Sequence, residues 1–325
     1  MSQPFNPNQT QVDEPPRRLF VDKDADQAEL VKQLGWFGDL AAAQAREKDD
    51  PIRKGFESRN KRVGWAYLGF LGTIASAGFV GLALGITAIV LLSLGKLKLA
   101  GIGEAAPSGP FVEVFAGYAL LLFSMNFISI DNLAIKIAML GSMLVFVVVA
   151  FYWTRFRGVS LQSARDSFGT HMGRGLIIEM LCGIGGYLAL LPVLVIGFFS
   201  LLFLRKLLGS DASHPIQEML GGEARQVALA LFLGVILAPI TEELMFRGAL
   251  FAHLRRHMPW GLAAVIVAII FATIHPQGVA AIPLLACVAI NLAIIRYWRG
   301  SSIANITAHA LNNGTVMLFA IMIAQ

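Results

Sequence analysis

Hydrophobic and polar positions divide the chain into a polar N-terminal stretch and a long apolar remainder. Residues 1–62 carry equal numbers of acidic and basic side chains and read as a soluble, partly disordered tail. Within that tail Leu30, Val31, Leu34, Phe37 and Ala41 recur near helical spacing. They predict an amphipathic helix over roughly 26–48, tethered at the surface of the membrane or of the helical core. Apolar runs follow at approximately 65–95, 111–130, 133–154, 176–204, 225–247, 261–276, 279–297 and 301–324. A helix needs about 20 apolar residues to span a bilayer, so the run at 261–276 is short and leans on its neighbours. Gly and Pro interrupt several runs, which membrane bundles tolerate when the freed backbone groups find partners. The pattern predicts an all-α membrane protein with a bundle of about 7–8 transmembrane helices behind the tail.

Composition agrees with that reading. The chain of 325 residues is 56% hydrophobic and 14% charged, with a mean hydropathy of +0.66, whereas a soluble domain carries about 25% charged residues. A net charge of +5 and a pI near 9.4 are explained by basic loops facing anionic lipid headgroups, so the lipid bilayer is the expected partner and nucleic acid is not. Cys182 and Cys287 both lie in apolar runs and define neither a disulfide framework nor a thiolate metal site. The polar first 62 residues argue against a cleavable secretory signal at the start.

The basic cluster Arg53, Lys54, Arg59, Lys61 and Arg62 directly precedes the first apolar run and reads as a cytoplasmic flank. With eight crossings, the loops bearing Arg155, Arg157 and Arg165, Arg255 and Arg256, and Arg296 and Arg299 share one side, opposite that flank. An even number of crossings before Arg155 places all of them in the cytoplasm. Asp131 and Lys136 mark a possible re-entrant piece, so seven and eight spans both stay open. The expected location is the plasma (inner) membrane, multi-pass, with a cytoplasmic N-terminus. Trp65, Trp153, Trp260 and Trp298 sit near segment ends, as interfacial aromatics do.

Three short motifs place polar side chains inside these apolar runs: Glu242-Glu243-Leu244-Met245-Phe246-Arg247, Phe271-Ala272-Thr273-Ile274-His275 and His309-Ala310-Leu311-Asn312-Asn313. An ionisable group at membrane depth costs about 2.5–3.5 kcal/mol even on permissive scales, so a functional site is the first hypothesis. At about 1.5 Å rise per residue, Glu243 lies roughly 18 Å from Arg255, His309 roughly 15 Å from Arg299, and His275 roughly 22 Å from Trp260. In the alternating topology these three reference points share a side, and the motifs meet at a common depth.

Helical phase separates the two glutamates. Glu243 and Arg247 are four apart with the acid first, the favourable order for an intrahelical ion pair. Glu242 is turned about 100° away and has no partner at that spacing, which suits a general base or acid. Glu242 is therefore assigned to chemistry and the Glu243–Arg247 pair to support, with Arg247 also available to orient Glu242. Pro239 opens the helix just upstream. His309 and Asn313 share a face and suit an oxyanion. His275, on the face of Phe271, suits the attacking water or a metal. Asn291 is a further polar candidate. Glu179 reads as a snorkelling charge, and His253 with His257 as a solvated basic face.

The order E-E-x-x-x-R, F-x-x-x-H, H-x-x-x-N, each on its own apolar helix, resembles the CPBP family. This family comprises the CAAX prenyl endopeptidases and their bacteriocin-processing and Abi-type bacterial relatives. The resemblance covers about residues 175–325, behind a set of N-terminal transmembrane helices at 63–174. It implies an intramembrane endopeptidase with Glu242, His275, His309 and Asn313 as catalytic positions and Glu243, Arg247 and Phe271 in support. Two mechanisms stay open. In one, glutamate and histidine activate water directly. In the other, Zn²⁺ held by Glu242, His275 and His309 supplies a metal-bound water, as in a metalloendopeptidase. No H-E-x-x-H occurs, and the metal-independent route is favoured. The substrate is expected to be a peptide or membrane-protein segment; oligomeric state is not encoded legibly. The alternatives are a non-proteolytic scaffold or immunity protein of the same family, and a proton-coupled transporter using Glu242 and His275.

Overall fold

The computed structural model describes residues 36–44, 46–101, 107–125, 133–209 and 224–324. Ten helices make up the described chain: α1 (Trp36–Gln44), α2 (Pro51–Ser93), α3 (Gly109–Met125), α4 (Leu133–Phe156), α5 (Leu161–Phe168), α6 (Leu176–Leu208), α7 (Ala224–His257), α8 (Trp260–Thr273), α9 (Ile282–Arg299) and α10 (Ser302–Ala324). No strand occurs among the described residues. The contacts divide into two units, Met1–Thr73 and Ile74–Gln325.

In the first unit, α2 begins inside the stretch expected to be a soluble tail. Pro51 supplies the preset backbone angle of a first helical residue, and the Asp50 carboxylate accepts the Ile52 amide at 2.7 Å. That amide holds the Asp50 carboxyl below the usual carboxylate range. The basic cluster at 53–62 therefore rides on a helix rather than a loop. Of the amphipathic helix expected at 26–48, the part described is α1, where Phe37 is exposed and Ala43 is buried. Arg53 ties its C-terminal end by donating to Gln44 O and Arg46 O. Leu30, Val31 and Leu34 lie outside the described residues.

Each of the eight apolar runs falls, over most of its described residues, on a helix. Four helices, α2, α6, α7 and Val279–Arg299, are long and apolar enough to cross a membrane, while 109–124, 141–156 and 260–273 form shorter apolar helices. The described chain is thus all-α, with helices built to lie in a bilayer. Asp131 and the Lys136 side chain lie outside the described residues. In the second unit, α6, α9 and α10 pack on one another, α8 packs on α9, and α3 packs on the middle of α7. Small residues make the approach possible: a Cβ on Gly183 of α6 would stand 2.3 Å from the Ala304 carbonyl oxygen of α10. Ala263, Ala264 and Ala268 of α8 and Ala289 and Ala293 of α9 are likewise buried. Outward-facing apolar residues such as Phe79, Phe156 and Ile177 are exposed, as a lipid-facing surface requires.

Buried polar ties fix the loops beside this bundle. Arg296 of α9 is fully buried and donates to Asp166 O and Ser167 O, both at 2.9 Å, and to Gly300 O. Ser302 donates its hydroxyl to Phe168 O at 2.7 Å and its amide to Gly169 O at 2.9 Å. Together they satisfy the orphan carbonyls ending α5. Gly169 closes that helix at φ 68°, a left-handed geometry suited to glycine. Glu179, expected to snorkel, is instead fully buried. It accepts Arg299 through both oxygens at 2.9 and 2.6 Å and the Arg174 amide at 2.9 Å.

Candidate active site

The helix carrying the two glutamates is not a regular α-helix. Within α7, residues Phe232–Leu237 and Glu243–Leu250 are π-helical, flanking an α-helical turn at Ala238–Glu242. Pro239 gives a physical reason for the first widening, because a proline ring clashes with the carbonyl four residues earlier and offers no N–H. The Ala238 amide bonds to Leu233 O, the i→i+5 pattern. Gly234 O would next look to residue 239, which has no amide hydrogen. Asn313 of α10 meets that need, donating its side-chain amide to Gly234 O at 2.8 Å. The expected oxyanion donor thus has one amide hydrogen committed to the backbone, and Asn312 donates to its side-chain oxygen at 3.3 Å.

Glu243 sits at the centre of a buried network. Its Oε1 accepts Arg247 at 2.9 Å and His309 Nδ1 at 2.8 Å, and its Oε2 accepts the side-chain amide of Asn305. Arg247 gives its other terminal nitrogen to Ala289 O at 3.0 Å. The guanidinium also lies 4.8 Å from the centre of the Phe271 ring, a cation–π distance. Its hydrogen bonds go to Glu243 and Ala289, and none goes to Glu242, so the suggested orienting role of Arg247 toward Glu242 is replaced by a bolt between α7 and α9. Asn305 went unnoticed in the sequence, although Asn305, His309 and Asn313 recur every four residues on one face.

His275 lies just past the end of α8, where Pro276 disfavours helical backbone for the preceding residue. Its Nδ1 donates to Phe271 O, the helix-end carbonyl four residues back. This bond leaves Nε2 of the neutral ring as an acceptor. The Phe271 ring packs against His275 at 4.2 Å, Phe246 at 5.1 Å and His309 at 6.0 Å between centroids. Phe271 is the apolar floor on which both histidines rest.

These supports bring three predicted residues together. Glu242 Oε2 is 3.7 Å from His309 Nε2 and 4.0 Å from His275 Nε2. Among the described residues that oxygen is buried without a hydrogen-bond partner. The Glu242 and His275 side chains keep 19% and 17% exposure, while His309 keeps 3%, so access comes from the Glu242–His275 side. Asn291 is spent elsewhere, donating to Leu190 O at 3.5 Å. His253 and His257, expected on a solvated face, meet Ser108 at its carbonyl oxygen (2.9 Å) and hydroxyl (3.2 Å).

As a zinc ligand set the trio does not fit as placed. Ligands at about 2.0–2.2 Å around a tetrahedral zinc lie roughly 3.3 Å from one another, closer than the separations here. Among the described residues no group of three His, Cys, Asp or Glu side chains is arranged to hold a metal ion.

Apolar helices closing around a carboxylate and two imidazoles define a membrane protein with a polar intramembrane site. Residues 224–315 match the family model described as Type II CAAX prenyl endopeptidase Rce1-like, which agrees over that stretch with the resemblance to the CPBP family. The matched stretch contains all three motifs. No curated protein and no solved structure matches the chain.

Proposed function

We propose that this protein is an intramembrane endopeptidase in which Glu242 activates a water molecule directly. The observation that carries the reading is the convergence of Glu242, His275 and His309 from three helical segments, with Glu242 Oε2 unpartnered among the described residues. Two acceptors 4.0 Å apart, Glu242 Oε2 and His275 Nε2, suit the two hydrogens of one water. The water oxygen then bonds to the scissile carbonyl carbon while Glu242 takes its proton. With its Nδ1–H given to Glu243, His309 in its imidazolium form donates from Nε2–H to the developing oxyanion. Glu242 returns the proton to the amide nitrogen as the C–N bond breaks, leaving a carboxylic acid, which keeps the water's second hydrogen, and an amine. The substrate is a peptide or membrane-protein segment that reaches the site laterally, past the more exposed Glu242 and His275.

The test is a tethered peptide incubated with the purified protein in proteoliposomes. Mass spectrometry is expected to find two products whose masses sum to the substrate plus one water, formed equally after dialysis against a chelator. Loss of cleavage on chelation, restored by zinc, would return the reaction to a metal-bound water. An intact peptide together with uptake driven by a pH gradient would favour the transporter reading.

A further inference from the structure

Asn305 is fully buried on α10, yet the reaction described above gives it no task. Its side-chain amide donates to Glu243 Oε2. His309, one turn further along the same helix, donates from Nδ1 to Glu243 Oε1 at 2.8 Å. Residues four apart share a helix face, so α10 grips both oxygens of one carboxylate. Among the described residues the Oδ1 of Asn305 is buried without a hydrogen-bond partner. Glu243 explains that orientation, because a carboxylate only accepts and the amide must turn its N–H toward it. An apolar side chain would fill the same space with no orphan carbonyl, so packing alone does not call for an amide here.

The grip has a geometric consequence. The last torsion of a glutamate side chain is soft, and so is the ring torsion of a histidine. Arg247, at 2.9 Å, and His309 both bond to Glu243 Oε1, which leaves Asn305 as the donor on Oε2 among the described residues. Without Asn305 the carboxylate can turn about its terminal C–C bond and carry the Nδ1 bond with it. The far side of the His309 ring moves in response. That side holds Nε2, 3.7 Å from Glu242 Oε2. Direct contacts thus run from Asn305 through Glu243 and His309 to the catalytic base.

Resting on the endopeptidase reading, we infer that Asn305 is a positioning residue, which locks the plane of the Glu243 carboxylate and so aims His309 Nε2 at the oxyanion. Asn305→Leu keeps the volume and removes the donor. Asn305→Ala also removes it but leaves room for a water on Glu243 Oε2, which favours folding. In full-length protein in proteoliposomes, kcat is expected to fall on the order of 10²-fold in Asn305→Leu, as for a misplacement of about 1 Å, and less in Asn305→Ala. KM is expected to stay near wild type. With ¹⁵N-labelled histidine in detergent, the low-field His309 Nδ1–H resonance, identified by its absence in His309→Ala, is expected to shift or broaden in both variants. Thr307→Val removes a hydroxyl bonded to Ile303 O on the same helix and is expected to change neither readout. An unchanged kcat in whichever variant folds, while the wild type cleaves, overturns the role of Asn305 alone. A loss of kcat with the His309 resonance unmoved overturns it too, and so does an Asn305→Ala that fails to fold, since the residue would then be structural. A wild type that cleaves nothing overturns the reading of the site and this inference with it.

Discussion

Glu242→Gln is expected to reduce kcat by about 10²–10⁴-fold, the range associated with a positioned general base, with KM little changed. The substitution keeps size and shape and removes the charge, and with it the ability to take a proton. Glu242 contributes little to folding contacts, since its Oε2 has no partner among the described residues. The variant should therefore insert, purify and unfold like wild type while losing turnover. Turnover near the wild-type rate would remove Glu242 as the base. The same measurement separates a hydrolase from a scaffold, whose biological activity would survive the substitution.

Arg247→Leu is expected to destabilise the protein by about 3–5 kcal/mol, the usual result of stripping a buried ion pair of one partner. Both partners are fully buried, and the guanidinium also bonds to Ala289 O, so the change leaves a carboxylate and a carbonyl without their donor. Activity should fall with it, because Glu243 orients His309 through Nδ1. Adding Glu243→Gln should recover part of the stability, since its neutral side-chain oxygen can still accept from His309 without an uncompensated charge. Chemical unfolding in detergent reads both variants. Wild-type stability in Arg247→Leu would contradict the burial and pairing described for this network.

Where the sequence was legible and where it was not follows from the range of each interaction. Apolar runs mark membrane helices by local composition, and each of the eight falls for the most part on a helix. The ion pair of Glu243 with Arg247 was readable because its partners are four residues apart on one helix. The neighbouring roles depend on other helices. Glu179 looked like a snorkelling charge because Arg299, its partner, is 120 residues away. Asn313 looked like a free amide because the orphan carbonyl of Gly234 exists only once Pro239 has widened the helix. Pro239 was the available signal, but a kink and a π-helical turn look alike in sequence. Asn305 shares the spacing of four with His309 and Asn313, but its partner Glu243 is 62 residues away on another helix.

A double-mutant cycle on Glu242 and His275 reads most directly whether they act on the same water. If both hold a single nucleophile, the Glu242→Gln/His275→Ala variant should be no slower than the slower single variant, within a few-fold in kcat/KM. Losses that multiply, or a single variant that keeps the wild-type kcat/KM, would contradict a shared hydrolytic water.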